Sequence, residues 1–220
     1  MTQAVAKTVI IDTGCANLSS VKYAFERLGA EVCISDDAEV IRSAERVVLP
    51  GVGTARAAMA ALTEKQLIPV IKALKQPVLG VCLGMQLMCD SSQESGEDAD
   101  ECQCLGLIPG TIRQLDCKGL PSPHMGWDQL SPVLDANGQA HPLFTGIDEG
   151  SYCYFVHSFC AAPSAATIAE CRYGERFSAA IAKDNFMGVQ FHPEKSAAIG
   201  SLILANFLTL TQDDFNGAAA

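Results

Sequence analysis

The chain has 220 residues, 49% of them hydrophobic, and a formal net charge of −10. That apolar content supplies a sizeable core and excludes a disordered chain. The acidic balance, with no Lys/Arg-rich run, argues against nucleic acid as a partner. No apolar run reaches the roughly 18 residues of a membrane span, so no membrane association is expected. The opening "MTQAVAKTVIIDTG" lacks the basic start and apolar stretch of a signal peptide. The ten cysteines run from Cys15 to Cys171 without paired spacing. They read as reduced thiols in a cytoplasmic protein rather than as a disulfide scaffold. Neither "CQC" at 102–104 nor the histidines have zinc-ligand spacing, so no metal site is expected.

In chain order, "KTVIID" (7–12) reads as a strand and "NLSSVKYAFERLGA" (17–30) as a helix ending at Gly29. "EVCIS" (31–35) and "ERVVLPG" (45–51) are further strands, the second closed by Pro50 and Gly51. Residues 54–75 look helical with a break near Pro69, and "PVLGV" (77–81) is a fourth strand. This alternation predicts an α/β fold, a mixed and mostly parallel sheet with helices on both faces in three layers. Residues 91–104 are acidic and polar and read as a solvated loop. The second half is richer in strands: "SYCYFVHSF", "ATIAECRY", "FSAAIAKD" and "FMGVQFH". A helix, "SAAIGSLILANFLTLT", follows. The expected organisation is a single domain over 1–212 and a loose tail over 213–220.

The chemistry concentrates at "QPVLGVCLGMQLM" (76–88). Cys82 sits where an apolar strand stops and a helical pattern begins, between Gly80 and Gly84. That is a nucleophile elbow, G-x-C-x-G, with glycines leaving room for a sharp turn. The following helix points its N-terminus at the sulfur and favours a thiolate. Alone the motif is a weak signal, because most cysteines are simply core. A base is also needed, and "MGVQFHPEKS" offers one. In an extended backbone His192 and Glu194 project to the same side. Glu194 would then fix the imidazole that faces the thiol. "LPGVGT" (49–54) is a second glycine-rich turn after a strand. Its backbone, Gly51, Val52 and Gly53, with the N–H of Leu83, is the expected oxyanion hole.

Together "LPGVG", "GVCLGMQ" and "GVQFHPEKS" resemble the class I glutamine amidotransferases in order and spacing, over about residues 8 to 210. The resemblance implies a Cys82–His192–Glu194 triad that hydrolyses L-glutamine to glutamate and ammonia without a cofactor. It places Gln86 on the substrate, and His157 and Ser158 in the pocket wall. "DTGCANLSSV", "PHMGW" (123–127) and "YFVHSF" (154–159) are most similar to the family's glutaminase subunits of histidine biosynthesis. Those work as heterodimers that pass ammonia to a (β/α)8-barrel cyclase. Asn17, His124, Trp127 and Lys195 are the positions expected at that partner face, with Trp127 on an exposed loop. A glutaminase feeding a different synthase, or a stand-alone cysteine hydrolase, are the alternatives. The chain departs from the pattern at Asp128, where Asn is expected, and at Thr13 and Ala16, where Tyr and Gly are common. Phe159 stands where Tyr is frequent.

Overall fold

The computed structural model describes residues 7–14, 18–94 and 101–215. Its strands are β1 (Thr8–Ile11), β2 (Val32–Ser35), β3 (Arg46–Leu49), β4 (Val78–Val81), β5 (Ser91–Ser92), β6 (Cys102–Gln103), β7 (Thr111–Gln114), β8 (His124–Pro132), β9 (Ser151–His157), β10 (Phe159–Ala161), β11 (Thr167–Tyr173), β12 (Glu175–Lys183) and β13 (Phe186–Val189). The helices are α1 (Leu18–Glu26), α2 (Ala38–Ser43), α3 (Ala55–Glu64), α4 (Ile68–Lys72), α5 (Leu83–Leu87) and α6 (Ala197–Thr209). The main sheet has the order β2-β1-β3-β4-β13-β12-β11-β8-β9, and a smaller one the order β10-β7-β5-β6. Pairing is parallel from β2 to β13. It is antiparallel from β13 to β9. The expected α/β class and covered, mixed sheet are what the structure shows.

Alternation along the parallel strands divides the core between the two faces. Ile10 and Val48 point into a cluster with Val21, Phe25 and Phe207 of α1 and α6. Val9, Ile11, Val47 and Leu49 point the other way, into a cluster with Ala58, Leu62 and Ile71 of α3 and α4. The sheet is therefore the middle of three layers. Among the described residues, no helix is long and apolar enough to cross a membrane.

Local chemistry sets the boundaries. Helix α1 closes through Gly29 at φ 81°. The Gly29 N–H bonds to the Glu26 carbonyl and the Ala30 N–H to the Phe25 carbonyl, a Schellman ending. Thr54 caps α3 by accepting from the Ala57 N–H. The helical stretch 54–75 breaks at Gln66, at φ 55°, three residues before the proline. Pro69 instead lies in the first turn of α4, where its missing N–H is not needed.

Three expectations are corrected. Residues 91–104 are not simply a solvated loop, because Ser91, Ser92 and Cys102 are buried in β5 and β6; short, polar strands carry no apolar alternation to read. Trp127 lies on β8, not on a loop. Residues 213–215, expected to be loose, form a 3₁₀ turn with Gln212, tied by the Asp214 carboxylate accepting from the Thr211 N–H and hydroxyl; the rest of that tail is outside the described residues.

The position of α5 decides where the chemistry sits. It lies directly on the sheet, and a Cβ on Gly84 would fall 1.8 Å from the Leu49 carbonyl oxygen. No rotamer change relieves a clash with backbone. Gly84→Ala should therefore destabilise the fold by about 3 kcal/mol or more, a Tm loss of roughly 6–12 °C. Thermal unfolding of the purified variant measures this, and an unchanged Tm would contradict the packing described.

Candidate active site

Strand β4 hands over to α5 at Cys82, which has φ 52° and ψ −109°. A non-glycine residue there is strained and persists only where its surroundings over-determine it. Here the Cys82 N–H is bonded to the Val189 carbonyl of β13 at 2.8 Å, and its own carbonyl accepts from Gln86 at 3.2 Å. The elbow read from the sequence is present. The helix behind it is five residues long, so what favours anions here is the local N–H groups of its first turn rather than a long macrodipole.

His192 is 4% exposed, and its Nδ1 lies 2.9 Å from Glu194 Oε1. The route to that contact differs from the expected extended backbone. Strand β13 ends at Val189 and Pro193–Lys195 form a 3₁₀ turn, which folds Glu194 back onto the ring. The ring lines the same pocket as Cys82. Burial opposes a charge on His192. Its interaction with Cys82 and Glu194, with the negative charge they bring, outweighs it and raises the ring to about 9.

The Pro50–Gly53 turn meets α5 edge-on. A Cβ on Gly51 would lie 2.7 Å from the Gly84 nitrogen and 2.7 Å from Leu83 Cβ. This approach brings Val52 and Gly53 beside Cys82 and Leu83 in one pocket of about 380 Å³, together with Gln86, His157, Ser158, His192 and Lys195. The pocket thus gathers most of the expected residues, while Glu194 sits behind the His192 ring and Gly51 packs against α5. Glu94 also lines the pocket, although its segment reads as solvated in the sequence. Burial raises its carboxyl, against a bond from the Ala55 N–H.

The partner-face expectations divide. Asn17 lies outside the described residues. Trp127 is 51% exposed and packs edge-on against Tyr154 at 6.0 Å, and Lys195 Nζ lies 5.9 Å over the same ring. His124 is the correction, buried at 2% exposure and stacked between Tyr173 and Phe155. On β8 it alternates with the exposed Met125 and Trp127, so it faces the core. Its Nδ1 is 3.0 Å from His157 Nε2.

That bond belongs to a chain with a fixed direction. The Phe159 carbonyl can only accept, so His157 Nδ1–H donates to it at 2.9 Å. His157 Nε2 must then accept from His124 Nδ1–H. The lone pair of His124 Nε2 is left facing Asp128 Oδ2 at 3.4 Å. Burial keeps His124 below its ordinary value, with Asp128 pulling the other way. Burial also brings His157 down to about 3. Both rings are neutral near pH 7, and the contact with Asp128 is one proton short. An Asn amide, the residue expected at 128, would supply it. Sequence reasoning also missed Gln190, fully buried, whose side chain joins Gln86 to Cys82. The only signal was a polar residue inside an apolar strand end, two residues before the base.

Comparison with known proteins identifies the family. The profile of the class-I glutamine amidotransferases matches residues 9–210, and the chain belongs to that family. It is an enzyme of the glutamine amidotransferase class. Among its relatives is the imidazole glycerol phosphate synthase subunit HisH of Shewanella loihica, 63% identical over 96% of this chain and 93% of the relative. The protein of the same name from Colwellia psychrerythraea is 53% identical over 96% of each chain. Among solved structures, a protein described as a GMP synthase subunit from Thermoplasma acidophilum superposes with TM-score 0.69 at 16% identity over 94% of both chains. The glutaminase domain of Trypanosoma brucei CTPS gives 0.63 at 15% identity, covering 93% of this chain and 94% of that one. At these identities the structural matches establish the fold.

Two expectations follow. A folded-state value of about 9 for His192 lies above its unfolded one, so the charged ring stabilises the fold fully below about pH 6.5. That contribution is lost as pH rises through 9. Glutamine turnover should fall with the same alkaline midpoint, and Glu194→Gln should bring the midpoint down and lower kcat; pH–rate profiles of both proteins test it, and coincident alkaline limbs would rule out the coupling. Asp128→Asn should stabilise the protein by about 0.5–1 kcal/mol at high pH. The gain should shrink on acidification, as His124 takes up the missing proton. Urea unfolding of both proteins at two pH values decides this, and a gain independent of pH would refute it.

Proposed function

We propose that this chain is the glutaminase subunit of imidazole glycerol phosphate synthase in histidine biosynthesis. The observation that carries the reading is Cys82, held at a strained elbow in the same pocket as a His192 that Glu194 orients at 2.9 Å. The relatives' names direct that chemistry to this synthase.

Substrate binding follows from which hydrogen-bonding groups remain free. Gln86 Nε2 donates to the Phe159 carbonyl and to Gln190 Oε1, each at 2.9 Å. Both its N–H groups are used, so its carbonyl oxygen is left to accept from an N–H of the glutamine. Glu94 provides a carboxylate for the α-ammonium. Ionised Cys82 attacks the side-chain carbonyl carbon, and the N–H groups of Leu83 and the Gly51–Gly53 turn hold the oxyanion. The protonated His192 gives its proton to the amide nitrogen. The C–N bond breaks, ammonia leaves, and a glutamyl thioester remains on Cys82. His192, now neutral, takes a proton from water as that water attacks the thioester. Glutamate is released and the Cys82–His192 pair is restored.

Ammonia released to solvent would be protonated and lose its nucleophilicity. A barrel cyclase docked at the pocket mouth would receive it and form imidazole glycerol phosphate and an aminoimidazole carboxamide ribotide. The exposed faces of β8 and β9 suit such a docking surface. Met125, Trp127 and Tyr152 are 62%, 51% and 52% exposed. The register pairs Met125 with Val156 and Trp127 with Tyr154, and Val156 lines the pocket. An aromatic anchor in such a patch is the usual hot spot.

Glutamate release should be slow from the chain alone and rise strongly with the cyclase and its nucleotide ligand. Equal rates in both conditions would sink the assignment to this synthase. Trp127→Ala should weaken assembly by about 2 kcal/mol without altering alkylation of Cys82; titration of cyclase into the variant measures it.

A further inference from the structure

We propose that Gln190 is a catalytic residue of the glutaminase site: its side-chain N–H donates to the Cys82 sulfur and holds it as a thiolate. The proposal rests on Cys82 being the nucleophile. Gln190 immediately follows β13, and its backbone N–H bonds to the Ala179 carbonyl at 2.8 Å. Its side chain is fully buried, so its amide must find partners inside the protein.

The direction of those bonds is dictated from outside the residue. The Phe159 carbonyl can only accept, so the Gln86 atom facing it at 2.9 Å is Nε2. That same nitrogen faces Gln190 at 2.9 Å, so the facing atom of Gln190 is its carbonyl oxygen. Gln190 Nε2 is thereby turned to Cys82 Sγ, at 3.7 Å. Reversing the Gln190 amide would set two N–H groups against each other at Gln86 and bring its oxygen toward a sulfur that must become negative.

The sulfur has three polar neighbours: the His192 ring, the Val156 carbonyl at 3.9 Å, and Gln190 Nε2. As a thiol, Cys82 can donate to that carbonyl or to the ring and accepts only weakly from Gln190. On ionisation the S–H proton passes to His192. The carbonyl then gains nothing from the sulfur, whereas the Gln190 N–H becomes a donor to an anion, a stronger bond. The contact therefore favours the ionised state over the neutral one. A residue that merely filled space there would not distinguish them.

The test follows alkylation of Cys82 by iodoacetamide from about pH 5 to about pH 9, read by mass spectrometry on the Cys82 peptide. Cys89, Cys104, Cys153 and Cys160, each raised to about 12 by burial, will contribute little. Gln190→Met keeps the volume and removes the donor. Its midpoint should rise by about one pH unit, with about tenfold slower alkylation on the acid side. An unchanged midpoint in a folded variant would overturn the proposal. The unsubstituted protein gives a second measurement, independent of whether the variant folds. The Gln190 side-chain N–H resonance should titrate with the alkylation midpoint, and a resonance that does not move would equally overturn it. Neither experiment needs glutamine or the cyclase, so a failed glutaminase assignment would show in turnover and not here.

Discussion

Everything at the site depends on how closely α5 approaches the sheet. Gly84 faces the Leu49 carbonyl and Gly51 faces Leu83 and the Gly84 nitrogen, with no room for a side chain at either contact. Because α5 lies that low, Cys82 has to turn through a positive φ to leave β4. The same approach sets the Pro50–Gly53 turn beside the sulfur. One packing constraint thus places nucleophile and oxyanion donors together. The strain at Cys82 is held by backbone bonds to β13 and within α5, not by any side chain. Once β3, β4 and β13 pair in register, the elbow has no other conformation to adopt.

A second constraint is polarity. The Phe159 carbonyl accepts from both His157 Nδ1 and Gln86 Nε2. Buried networks of amides and imidazoles can often run in either direction, and which direction they take changes what they offer a ligand. Here one backbone oxygen fixes two branches. One branch runs through Gln86 and Gln190 to the sulfur; the other runs through His157 and His124 to Asp128. The Phe at 159, where Tyr is frequent, leaves this intact because the backbone does the work. The Asp at 128 does not, because there the side chain was the missing donor.

Sequence reasoning reached the chemistry through short motifs that carry their own geometry. Gly80, Cys82 and Gly84 announce a tight strand-to-helix turn, and the spacing of His192 and Glu194 announces a coupled pair, although a 3₁₀ turn rather than a strand joins them. The parallel half of the sheet was legible because its strands are continuous apolar runs broken by helices. Strand β8 was not. "HMGWDQLSP" pairs a buried His124 with exposed Met125 and Trp127, so its polarity alternation runs opposite to the usual one. Gln190 was missed for a related reason. A polar residue in an apolar segment carries no sign of its partner, and its partners Cys82 and Gln86 lie more than a hundred residues away in the chain.

The chemistry also has to select one thiol among many. Every described cysteine is free, and burial makes several of them inert. It raises Cys89, Cys104, Cys153 and Cys160 to about 12, where the nucleophilic thiolate is negligible near neutral pH. Cys82 is buried too, at 8% exposure, so exposure is not what sets it apart. Its neighbours are. Cys153 sits beside Ser196, Cys160 has Arg113, Glu175 and Cys117 near it with burial dominating, and Cys104 faces Cys102 and Cys89. Cys82 instead meets a His192 that Glu194 keeps charged and the Gln190 amide. What distinguishes Cys82 from the sulfurs that burial raises is a charged imidazolium and a buried amide donor in place of the lost water.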